Sequence, residues 1–154
     1  MKNYVKFVTN YSYRLVIIVC LMVGSSYAQI GKSYSQIMYK LSPYFKMKRA
    51  TDVDGESRYM GTLRNNMATL EVIGDKRNMS SASLIVGFPS DNEYIVKQSI
   101  LYATRFLMNT TTIKNPAHWF TDIVVDGGGI YNGYGYTVEV DLIKSLGLVC
   151  VTVR

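Results

Sequence analysis

The chain has 154 residues, 48% of them hydrophobic, with 17 basic and 11 acidic side chains and a formal charge of +6. That length makes one compact domain with a core of its own, and two cysteines are too few for a disulfide framework. The basic excess looks like a signal for nucleic acid, but half of it belongs to a segment at the N-terminus that reads as removable.

Lys2, Lys6 and Arg14 give an acid-free basic start, followed by nine unbroken apolar residues from Leu15 to Val23. This is the pattern of a secretory leader. The apolar run is about half of the roughly 20 residues a helix needs to cross a bilayer, so no permanent span is expected. Ser26-Tyr27-Ala28 supplies small residues at the −3 and −1 positions, which predicts cleavage between Ala28 and Gln29. An uncleaved anchor is the competing reading. Lipid attachment at Cys20 is disfavoured, because Val19 stands where a lipoprotein site requires a small residue. The expected organisation is therefore a leader over 1–28 and a single domain over 29–154, exported to the periplasm or cell exterior. Losing the leader removes three cations and no acid, leaving +3 with no basic run longer than Lys46-Met47-Lys48-Arg49. Nucleic-acid binding is not expected of such a surface. Cys150 is left without an intramolecular partner for a disulfide, and its setting between Val149 and Val151 suits a buried strand.

Beyond the leader, Ile37, Met38 and Leu41, with Tyr34 a turn earlier, predict an amphipathic helix from Ser33 to about Tyr44, limited by Pro43. Asp52 to Glu56 reads as a polar turn around Gly55. Strands are predicted at Tyr59–Leu63, Met67–Ile73 and Ala82–Phe88, the first two joined by a turn at Asn65-Asn66. Ser90 and Glu93 have capping-box spacing, and Val96, Ile100, Ala103 and Leu107 continue a helix that Asn109 would end. After a polar linker, Pro116 starts a short helix to about Val124, which Gly127-Gly128-Gly129 terminates. Asn132-Gly133 suits a tight turn before a strand in which Tyr134, Tyr136, Val138, Val140 and Leu142 share one face. The last strand, Leu148–Val153, is apolar on both faces and so belongs at the centre of a sheet. The expected class is α+β: an antiparallel sheet of about five strands, with two main helices and one short helix packed on one face.

Chemistry-bearing constellations are sparse. Gly31-Lys32-Ser33 ends like a phosphate-binding loop, but Ser26 stands where that motif needs its first glycine. The bland alternative is a polar lead-in to the first helix, with Ser33 as its cap. His118 is the only histidine, and Asp122 and Asp126 follow at four-residue steps, which would align the three on one helix face. His118 with Asp122 is thus the candidate for acid–base catalysis, and His118, Asp122 and Asp126 the candidate metal set. One imidazole without cysteine is a thin ligand set, so neither a metal nor a cofactor is expected. The run Gly127 to Tyr136 intersperses glycines with tyrosines, a composition that recognition surfaces favour. Tyr131, Asn132, Tyr134 and Tyr136 are the binding candidates; the alternative is a glycine-rich hairpin whose tyrosines pack on the sheet. Asn78-Met79-Ser80 and Asn109-Thr110-Thr111 match the glycan acceptor pattern, which matters only in a eukaryotic secretory pathway.

Ala28-Gln29, Gly31-Lys32-Ser33, the helix from Ser90 to Asn109, Trp119 and the closing segment Tyr134 to Val153 form a layout that resembles small exported proteins of unknown function from Bacteroidetes. The resemblance implies no activity. The expected function is a non-enzymatic binding or interaction module with a protein, peptide or glycan partner. A small hydrolase or metal-dependent enzyme built on His118, and a component of a cell-surface assembly docking through a sheet edge, are the alternatives.

Overall fold

The computed structural model describes residues 30–63, 67–89 and 92–154. The leader with its cleavage site, the Asn65-Asn66 turn and Ser90 lie outside these residues. Ser33 caps the first helix, α1 (Tyr34–Met38), in a reciprocal capping box: the Gln36 N–H donates to Ser33 Oγ, and the Ser33 N–H donates to Gln36 Oε1 at 2.8 Å. The helix stops well short of the expected Tyr44. Pro43 has no N–H to continue the ladder, and the chain runs on in tight turns such as Leu41 N–H to Met38 C=O, burying Leu41 and Phe45.

Four antiparallel strands follow: β1 (Lys48–Val53), β2 (Glu56–Thr62), β3 (Ala68–Asp75) and β4 (Asn78–Gly87). Two helices, α2 (Glu93–Thr110) and α3 (Pro116–Val125), precede β5 (Gly129–Gly133), β6 (Tyr136–Ile143) and β7 (Leu148–Val153), with a short 3-10 turn at Lys144–Leu146. The sheet thus has seven strands in the order β1-β2-β3-β4-β7-β6-β5, two more than expected. The additional strands are β1 and β5, the two edges.

Three local expectations also shift. The side chain of Asn92 caps α2 by accepting from the Ile95 N–H at 3.1 Å, so the helix opens at Glu93. Asn109 lies inside α2 rather than ending it; its Nδ2 donates to the carbonyl of Ile37 and ties α1 to α2. The β5–β6 turn is formed by Tyr134-Gly135, not Asn132-Gly133, because Gly133 and Tyr136 pair across the hairpin and Gly135 takes a left-handed φ of 77°.

Period-2 alternation sends Leu70, Val72, Leu84, Val86, Val138, Val140, Val149 and Val151 to one face, where they meet Ala103, Phe106 and Leu107 of α2 and Phe120 of α3. Each such buried side chain stabilises the fold by about 1.5–3 kcal/mol before the entropy of ordering it is counted. The other face carries a smaller cluster of Ile85, Leu148 and Cys150 and a set of polar cross-links. Ser83 and Thr152 share a hydrogen bond at 3.1 Å, Arg154 pairs with Glu139 at 3.3 Å, and Arg58 donates to Glu71. β7, buried at every position, lies between β4 and β6, in agreement with its two-sided apolar sequence.

Candidate interaction surface

The Gly/Tyr segment occupies one end of the sheet, held there by α3. Pro116 sits in the first turn of that helix, where its missing N–H costs nothing, and Phe120 anchors the helix against Phe88 with ring centroids 6.1 Å apart. The three glycines after α3 reverse the chain into β5. Gly128 combines a φ of 89° with a backbone approach to the Val140 carbonyl that leaves no space for a Cβ, so only glycine serves there.

The structure separates the four binding candidates. Tyr136 is buried, and its hydroxyl meets the backbone N–H and hydroxyl of Thr112 at 3.3 and 3.1 Å. Asn132 is exposed and accepts through its side chain from the Thr137 hydroxyl. Tyr131 is 39% exposed, and its ring lies edge-on to Trp119 at 5.7 Å and tilted against Tyr136 at 6.4 Å, forming an aromatic row from α3 to β6. Tyr134 is fully exposed at the hairpin tip.

Two further exposed residues, passed over in the sequence, lie in the same stretch of chain. Ile130, 67% exposed, and Val125, 79% exposed, lie with Tyr131 and Tyr134 within ten residues, and these four are half of the eight large hydrophobics exposed among the described residues. The signal was available as a charge-free run from Gly127 to Val138. Edge strands are ordinarily guarded by charge, bulges or brevity.

β5 pairs with β6 only, and no described strand lies beyond it. Because Gly133 and Tyr136 close a two-residue turn as a hydrogen-bonded pair, Gly133, Tyr131 and Gly129 direct their main-chain groups at β6. The N–H and C=O of Ile130 and Asn132 therefore point outward.

The catalytic and metal candidates have a different setting. His118 Nε2 and Asp122 Oδ2 lie 3.3 Å from each other, one turn apart on α3, with side chains 81% and 56% exposed. Asp126 stands at the helix C-cap, one residue past Val125, outside that pair. Among the described residues no group of three or more His, Cys, Asp or Glu side chains converges on a common point. An open cleft of about 560 Å³ lies between Phe88–Pro89 and the 3-10 turn, with Leu142, Lys144, Leu146 and Leu148 in its walls; Lys144 is its only ionisable group. No helix of the described residues is long and apolar enough to cross a membrane.

Glu71 is the most perturbed acid. Only 3% exposed, it receives Arg58 on one oxygen, while Oε2 is buried without a hydrogen-bond partner. Burial pushes its carboxyl above the ordinary range, against the opposing pull of Arg58.

No family model, no curated protein and no solved structure matches the chain.

Proposed function

We propose that this chain is a non-enzymatic interaction module that works outside the cytoplasm and engages an extended polypeptide along the β5 edge. The observation that carries the reading is a charge-free open edge flanked by exposed Ile130, Tyr131 and Tyr134. Strand addition suits such an edge: outward main-chain groups supply affinity, and alternate side chains supply selectivity. Tyrosines add rigid contact area at small entropic cost. The extracytoplasmic setting rests on the basic, apolar and small-residue pattern of residues 1–28.

A photo-crosslinking side chain placed at Tyr134 tests the surface, with Tyr39, another exposed tyrosine, as the reference position. Adducts in intact cells should concentrate at Tyr134; equal capture at Tyr39 rejects the surface. Mass analysis of the protein recovered from cells tests the location. A chain beginning at Gln29 is expected, and a protein that retains residues 1–28 rejects cleavage.

A further inference from the structure

We infer that the polypeptide taken by the β5 edge is β5 of a second copy of this chain, added antiparallel about a twofold axis through Tyr131. This rests on the edge reading above and goes further by naming the occupant. β5 is five residues long, with the two outward residues Ile130 and Asn132 placed symmetrically about Tyr131. A twofold axis at Tyr131 sets Ile130 of one copy opposite Asn132 of the other. Each such pair exchanges two main-chain hydrogen bonds, so every outward N–H and C=O finds a partner.

Charge permits this self-pairing at β5. The strand has no acidic or basic side chain, so the axis brings no like charges together. At the opposite edge, β1 carries Lys48, Arg49 and Asp52 and shifts register between Ala50 and Val53, so it offers no comparably uncharged and regular strand. Side-chain placement also favours a second copy. The two Tyr131 residues form a non-hydrogen-bonded pair, in which side chains approach most closely, and the aromatic row becomes Trp119-Tyr131-Tyr131-Trp119 across the axis. The same register sets Gly129 opposite Gly133. It carries Tyr134 of each copy toward the end of α3 in the other, where Val125 is exposed. Isologous contacts of this kind are the commonest route to a closed dimer. So short an edge lies at the small end of stable interfaces, and a dissociation constant of roughly 1–100 μM is expected.

Sedimentation equilibrium of the processed protein measures this association directly. Asn132→Pro removes an outward N–H that β6 does not use, so the fold should persist while the dimer weakens by about tenfold or more. Ile130→Lys is the second variant should the proline disturb folding, as judged by circular dichroism. Tyr131→Cys should form a symmetric disulfide under oxidising conditions, since the non-hydrogen-bonded pair brings the two Cα atoms within bridging range; Ile130→Cys should not. A wild-type protein that stays monomeric at several hundred micromolar overturns the second copy as occupant, while the crosslinking at Tyr134 still decides the edge itself. A dimer indifferent to both Asn132→Pro and Ile130→Lys also overturns the proposal.

Discussion

At one end of the sheet, β1 presents Lys48, Arg49 and Asp52, pairs Arg49 with Asp52 at 3.1 Å, and shifts register between Ala50 and Val53. At the other end, β5 presents Gly129, Ile130, Tyr131, Asn132 and Gly133, with no charge and an unbroken register against β6. Charge and bulging both discourage a further strand, and of the two edges only β1 has them. The fold needs neither edge guarded in order to form, since the core lies between them. The proposed interaction surface rests on this asymmetry, since stability alone would single out neither edge.

Substitutions in the core, the turns, a buried acid and the edges themselves should tell the two ends of the sheet apart. Leu84→Ala removes a fully buried side chain from β4, at the middle of the sheet, and should cost about 3 kcal/mol in chemical denaturation. Because that loss is shared, association at β5 should fall only in proportion to the unfolded fraction. A larger fall would mean that the edge depends on more than its own strand.

Each edge hairpin turns on a glycine of left-handed backbone, Gly55 at φ 81° and Gly135 at φ 77°, with open space where a Cβ would stand. Gly55→Ala and Gly135→Ala should each cost about 1 kcal/mol of stability. Only Gly135→Ala should also weaken the dimer, because only that turn sets the register of β5.

Glu71 lies on β3, nearer the guarded edge. Its carboxyl is raised by burial, so the folded state holds its proton to higher pH than the unfolded chain does. The stability this contributes is fully present below the ordinary carboxylate range and is lost as pH rises through the raised value. Unfolding free energy should therefore fall with rising pH above about 4.5, and Glu71→Gln should flatten that slope. The dimer constant should be unchanged by this variant, which separates a buried acid of the scaffold from the proposed β5 interface. The smallest effect on stability is expected at the edges: Ile130→Lys should change it by less than about 0.5 kcal/mol while abolishing association at β5. Replacing Lys48 and Arg49 by threonine should leave the monomer equally stable but raise light scattering, as β1 loses its guard.

The same asymmetry between centre and edge decides what could be read from sequence. β6 and β7 were legible because burial enforces a pattern: Tyr136, Val138 and Val140 alternate with polar residues, and Leu148 to Val153 are apolar throughout. The α+β class follows from those strands and from the apolar stripe of α2. β1 and β5 escaped because an edge strand, exposed along most of its length, is not obliged to show period 2. Lys48-Arg49 reads as solvated charge, and Gly129-Ile130-Tyr131 reads as loop. At the candidate surface, the tyrosines were visible as composition, but their separation into buried Tyr136 and exposed Tyr131 and Tyr134 depended on where the turn fell. A displacement of two residues moved Tyr134 from the strand to the hairpin tip.

β7 carries one more consequence, in the order of synthesis. This strand, set between β4 and β6, follows the other six along the chain, so β4 and β6 have no neighbour to share until residues 148–153 have been made. A growing chain can assemble β1 to β4 as a meander and β5 with β6 as a hairpin, but it cannot join them. The seven-stranded sheet therefore cannot close until that last strand has been made.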